Sequence, residues 1–159
     1  MEITKMKTLY KYIILIFIGS LLFLNHYYFS YSRRIGNTRF YLVETMVDSK
    51  DGKPLAGLYY KPIAVPGYCG ENTPGFPKTI YWNNQYVISQ NYDGKSPDII
   101  EYVIINLDSI DPNNGEMKDI HRFRNKEKYY TYLKQIKLSE ADMNQTDNLI
   151  AWWETLIRK

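Results

Sequence analysis

Outside the first apolar stretch, one cysteine and one histidine are available for chemistry. Cys69 stands in GYCG, inside residues 61–78 (KPIAVPGYCGENTPGFPK), which hold four of the seven prolines and three of the nine glycines. Neither a helix nor a central strand tolerates that density, so the segment reads as a long loop in which a thiol is reachable. The only base that could serve Cys69 is His121, because the other histidine, His26, lies in the apolar stretch. A Cys–His pair becomes nucleophile and base only when a third group orients the imidazole and donors meet the oxyanion. The flanking residues spell neither, so Cys69 and His121 are weak catalytic candidates beside the plainer reading of an incidental loop cysteine. A lone cysteine forms no intrachain disulfide.

Other residue clusters give weaker hints of chemistry. Asp108 to Asp119 (DSIDPNNGEMKD) is rich in oxygen ligands. Counted from Asp111, however, Gly115 falls at position 5 of a calcium loop, where position 6 is required. Asp-Pro-Asn-Asn-Gly is also ordinary turn chemistry, so no metal site is expected. Lys118, Arg122, Arg124, Lys126, Lys128, Lys134 and Lys137 gather positive charge around Tyr129, Tyr130 and Tyr132. Arg122, Arg124 and Lys128 are the candidates there for contact with an anionic partner, against the bland alternative of a solvated helix face. Trp152 is the candidate for an exposed aromatic contact, since Trp153 lies on an apolar stripe. Nucleotide-loop, hydrolase-elbow, zincin and paired-cysteine motifs are all missing, so no cofactor is implied.

These residues need elements to position them. Arg39–Val47 (RFYLVETMV) and LAGLYYK read as strands around an Asp-Gly turn. TIYWNNQYVISQ reads as a hairpin, with Asn83-Asn84 in the positive φ values of a type I′ turn. IIEYVIINLD, Ile99 to Asp108, is the most apolar strand and belongs at the centre of an antiparallel meander. Asn125 can cap the helix KEKYYTYLKQI, with Tyr129, Leu133 and Ile136 on one face. Ser139-Glu140-Ala141-Asp142 resembles a capping box that opens a second amphipathic helix, striped through Met143, Thr146, Ile150, Trp153 and Ile157. The expected fold class is α+β: a meander followed by two C-terminal amphipathic helices, in one domain over residues 35–159.

Residues 1–34 are set apart. The run Tyr12–Leu24 is apolar, and counted to Ser30 the segment reaches bilayer length, with tyrosines and basic residues at both ends. The expectation is a single-pass anchor that meets the lipid bilayer through residues 12–30. The N-terminus would lie in the cytoplasm and the domain outside it. Alternatives are a signal peptide cut near Ser30-Tyr31-Ser32, with secretion, and a buried helix of a soluble domain. Five basic groups and one acid lie in this segment, leaving 15 basic and 16 acidic residues in the rest. A nearly neutral remainder argues against a nucleic-acid binder. Abundant Ile, Tyr, Lys and Asn with four Ala match AT-rich codon usage and suggest a bacterial source.

The strand ending YVISQ, the strand EYVII and a C-terminal helix entered through LSE together resemble a family of small bacterial α+β proteins of unknown function, membrane- or lipid-anchored, over residues 79–143. No lipid-accepting cysteine follows the apolar run here, and the resemblance implies no activity and no functional residues. The functional expectation is a non-enzymatic interaction or accessory module with an unknown protein partner. The alternatives are an immunity-type protein that blocks a toxin, and a thiol enzyme using Cys69 and His121.

Overall fold

The computed structural model describes residues 2–24, 32–48, 54–70 and 75–147. Glu2–Leu24 form helix α1. Among the described residues no helix is long and apolar enough to cross a membrane. The reason lies in the charge pattern. Glu2, Lys5, Lys7 and Lys11 occupy the first turns of α1, which leaves Tyr12–Leu24 as its unbroken apolar part. Those residues rise about 20 Å, against a hydrocarbon core of roughly 30 Å. This overturns the single-pass anchor and the membrane localisation derived from it. Residues 25–30, needed to complete the span, lie outside those described.

The rest is mostly β, which corrects the expected α+β class. Four strands, β1 (Ser32–Arg34), β2 (Phe40–Asp48), β3 (Pro54–Tyr60) and β4 (Cys69–Gly70), form one antiparallel sheet in that order. Five strands form the second: β5 (Phe76–Trp82), β6 (Tyr86–Tyr92), β7 (Glu101–Asn106), β8 (Ile120–Phe123) and β9 (Asn144–Asp147), in the order β8-β7-β6-β5-β9. Helix α2 (Lys126–Gln135) follows β8. Asn125 caps it as expected, its side chain accepting the Lys128 N–H.

Period-2 alternation decides which face each strand buries. Phe40, Leu42, Ala56 and Tyr60 of the first sheet meet Ile80, Val87, Val103 and Ile105 of the second in one core, joined by Ile35 and Ile110. The opposite face of the second sheet presents Ile88, Tyr102 and Ile104 to Tyr129 and Leu133 of α2. The molecule is therefore layered: four-stranded sheet, five-stranded sheet, helix. β7 is buried along nearly its whole length because it lies inside both interfaces, in keeping with its near-continuous apolar sequence.

Three local expectations are corrected. Where the second C-terminal helix is expected to begin, the described chain forms a single 3-10 turn, Glu140–Asp142, capped by Ser139, while Ile150, Trp153 and Ile157 of the expected stripe lie outside the described residues. The chain then extends, and Asn144-Gln145-Thr146-Asp147, in which Asn, Thr and Asp are weak helix formers, satisfy the outer edge of β5 instead. Leu138 and Met143, on either side of the cap, pack against the helix-side core. Asn83 and Asn84 do not take positive φ. Their turn is held by the Asn83 side-chain oxygen, which accepts the N–H groups of Gln85 and Tyr86. Ile35 to Arg39 reads in the sequence as a short juxtamembrane link, but it is structural: Ile35 and Thr38 are buried, and Gly36, at φ +52°, lies under Trp82, where a Cβ would come 2.1 Å from the indole nitrogen.

Candidate functional site

Cys69 opens β4 at the edge of the first sheet. Its thiol reaches the Asn114 carbonyl oxygen at 3.5 Å and touches Gly115. His121 lies on β8, opposite Ile104, on the face of the second sheet turned to α2. Its Nε2 meets Asp119 Oδ1 at 2.6 Å, and its ring lies against Tyr132 with centroids 4.3 Å apart. Asn106 donates to the other Asp119 oxygen at 3.1 Å. The imidazole is thus oriented, but toward α2, whereas Cys69 faces the 111–115 turn. The structure engages the two expected partners with different neighbours.

Asp111 and Asn114 spend side-chain oxygens on the N–H groups of Asn113 and Glu116. These are turn bonds. Gly115, at φ +78°, closes this turn and packs against Tyr60, Pro62 and Cys69. The basic candidates separate. Arg122 lies 3.7 Å from Glu101, a carboxylate only 4 % exposed. Arg124 and Lys128 are exposed at the entrance to α2. Trp152 lies outside the described residues.

Two surfaces that the sequence did not flag stand out. The first is the loop 61–68. Its backbone is tied to the 111–115 turn, since the Ile63 and Ala64 N–H groups donate to the Pro112 and Asn113 carbonyls at 2.8 and 3.1 Å. Pro62 is buried, yet Ile63, Val65 and Tyr68 stand 62 %, 44 % and 39 % exposed. Beside them Lys61 Nζ lies 5.8 Å from the Tyr41 ring centroid and 5.7 Å from that of Tyr68, within cation–π range. The signal for this surface is IAV between two prolines: three apolar residues in a segment with no strand or helix in which to bury them.

The second surface centres on Glu140. Its Oε1 accepts Gln90 Nε2 at 2.6 Å and the Tyr129 hydroxyl at 2.5 Å, while Oε2 accepts the Tyr130 hydroxyl at 3.3 Å. Tyr102 stacks on Tyr129 at 4.4 Å, and Tyr130 meets Tyr129 edge-on at 5.0 Å. Burial, reinforced by the hydrogen bond to Glu140 and its charge, pushes the Tyr129 pKa far above the ordinary phenol value. Burial and then the Glu140 charge also raise Tyr81, Tyr102 and Tyr130.

Comparison of the chain with protein-family models, with curated proteins and with solved structures gives no match.

Proposed function

We propose that the chain is a non-enzymatic interaction module that holds a partner protein through the loop 61–68. The observation that carries this reading is the exposure of Ile63, Val65 and Tyr68 on backbone fixed by two hydrogen bonds to the neighbouring turn. Apolar side chains displayed together on a soluble surface mark interaction sites more often than isolated ones do. Because the loop is already pinned, little conformational freedom is left to lose on binding. An aromatic ring beside apolar side chains, with a cation at the rim, is also the composition of an interface centre. Helix α1 adds a second exposed apolar surface, from Tyr12 to Leu21.

Site-specific photo-crosslinking in the source cells tests this. A photoreactive residue at position 63 or 65 is expected to give one discrete adduct, and the same residue at position 128 none. Tyr68→Ala is expected to reduce the adduct at least tenfold while leaving the far-ultraviolet circular dichroism unchanged. Equal labelling at all three positions, or no adduct at 63 and 65, ends the reading.

A further inference from the structure

We infer that Glu140 and the tyrosines around it form a receptor for a primary alkylammonium group. The site lies on the helix side of the five-stranded sheet, and the inference does not depend on the loop 61–68.

The argument starts from an unbalanced charge. Glu140 is half-buried, and among the described residues no Lys, Arg or His nitrogen comes within 4.0 Å of its carboxylate. Taking a carboxylate partly out of water without a counter-charge is unfavourable, and partly buried acids generally find a cation or a full set of donors. Here the donors serve the two oxygens unequally. Oε1 receives two short bonds, from Gln90 and Tyr129. Oε2 receives only the long contact from Tyr130, so it retains accepting capacity. Lys126 lies over the Tyr130 ring, 5.8 Å from its centroid, and makes no ion pair with Glu140.

The surroundings specify the ligand. Tyr81 and Tyr102 border the same helix-side cluster as Tyr129, and their phenols sense the Glu140 charge. Among the described residues no hydrogen bond uses either hydroxyl. A primary ammonium presents three N–H donors and no acceptor, which suits a carboxylate oxygen with accepting capacity together with the phenols of Tyr81 and Tyr102, which share the sheet face of Gln90. The attached methylenes would lie along tyrosine rings, where a cation gains further attraction from the ring faces. A quaternary ammonium has no N–H to give these oxygens. A divalent metal would find one carboxylate among neutral phenols, too little charge for a hard cation.

The alkylammonium can be a free amine or the side chain of a lysine in a peptide. Amide chemical shifts of the full chain, titrated at constant ionic strength, separate the sources. The probes are n-butylammonium chloride, the peptide acetyl-Gly-Lys-Gly-amide, and tetramethylammonium chloride as control. Saturable shifts at Gln90, Tyr102, Tyr130 and Glu140 are expected with butylammonium, with the lysine peptide, or with both, and whichever saturates names the source. Tetramethylammonium is expected to bind at least tenfold more weakly. Glu140→Gln is expected to weaken binding at least tenfold. Tyr81→Phe, which removes one acceptor without touching the bonds that Glu140 makes, is expected to weaken it several-fold and decides the matter if Glu140→Gln does not fold. Shifts that stay linear with every probe, equal affinity for tetramethylammonium, or unchanged binding in Tyr81→Phe would overturn the inference.

Discussion

Tyr129 has no exposed surface, and its hydroxyl is committed to Glu140. Burial comes first among the causes that raise its pKa, ahead of the bond and charge of Glu140. The sign of the resulting pH dependence follows. In the unfolded chain a tyrosine loses its proton near pH 10, whereas folded Tyr129 keeps it to much higher pH. The stabilisation is therefore complete below pH 10 and is lost as pH rises above it, where the unfolded chain binds fewer protons. Tyr129→Phe is expected to cost about 1–2 kcal/mol at pH 7.5, since Glu140 loses a donor, and to flatten the alkaline fall in stability. Urea unfolding at pH 7.5 and pH 10.5 measures both. The flattening is partial, because Tyr60, Tyr81, Tyr102, Tyr130 and Tyr132 are raised as well. A further feature at this scale is the cross-strand pair Asn91 and Glu101, both buried, with Asn91 Nδ2 and Glu101 Oε2 lacking hydrogen bonds. The lone acid in EYVIIN was a visible sign of a buried charge, though its pairing with Arg122 was not.

Among the elements, β1 and β9 are joined by one side chain. The Arg33 guanidinium donates to Thr146 Oγ1 at 2.5 Å and to the Asp147 carbonyl at 3.0 Å, tying an edge of one sheet to an edge of the other. Burial lowers its pKa, and the Asp147 charge opposes that fall. Arg33→Met keeps the aliphatic stem and removes both bonds. It is expected to cost about 1 kcal/mol and to speed amide exchange in 144–147 while 101–106 stay protected, as native-state hydrogen exchange would report. This element also marks where sequence reading stopped. The segments 40–48, 54–60, 76–92, 101–106 and 126–135 are long or periodic enough to announce themselves. β1, β4, β8 and β9 have at most four residues each, and their neighbours make them strands. Asn-Gln-Thr-Asp carries no apolar pattern at all. The Glu140 cluster was illegible for a related reason: β5, β6, β7, α2 and the 3-10 turn each bring one or two of its side chains, and no spacing along the chain records that convergence. Cys69 and His121 can be picked out from residue type alone, but the sheet faces that separate their surroundings cannot.

For the whole molecule, the five-stranded sheet belongs to both cores. Val103 and Ile105 face the first sheet, while Tyr102 and Ile104 face α2. Loss of packing on one side is transmitted through shared backbone, so the layers should unfold together. Leu133→Ala, which empties a buried site under α2, is expected to cost about 2–5 kcal/mol. Denaturation curves followed by tyrosine and tryptophan fluorescence and by far-ultraviolet circular dichroism should still coincide. Two separate transitions would show that the helix layer folds apart from the sandwich.

The Arg33–Thr146 contact spans 113 positions of the chain, and it has a consequence for synthesis. Among the described strands, a ribosome releases β1 first and β9 last. Until Asn144–Asp147 emerge, β5 is an end strand whose backbone edge is open to pairing with any other chain. The growing polypeptide therefore carries an open edge from the synthesis of β5 until β9, the last of the described strands, leaves the tunnel.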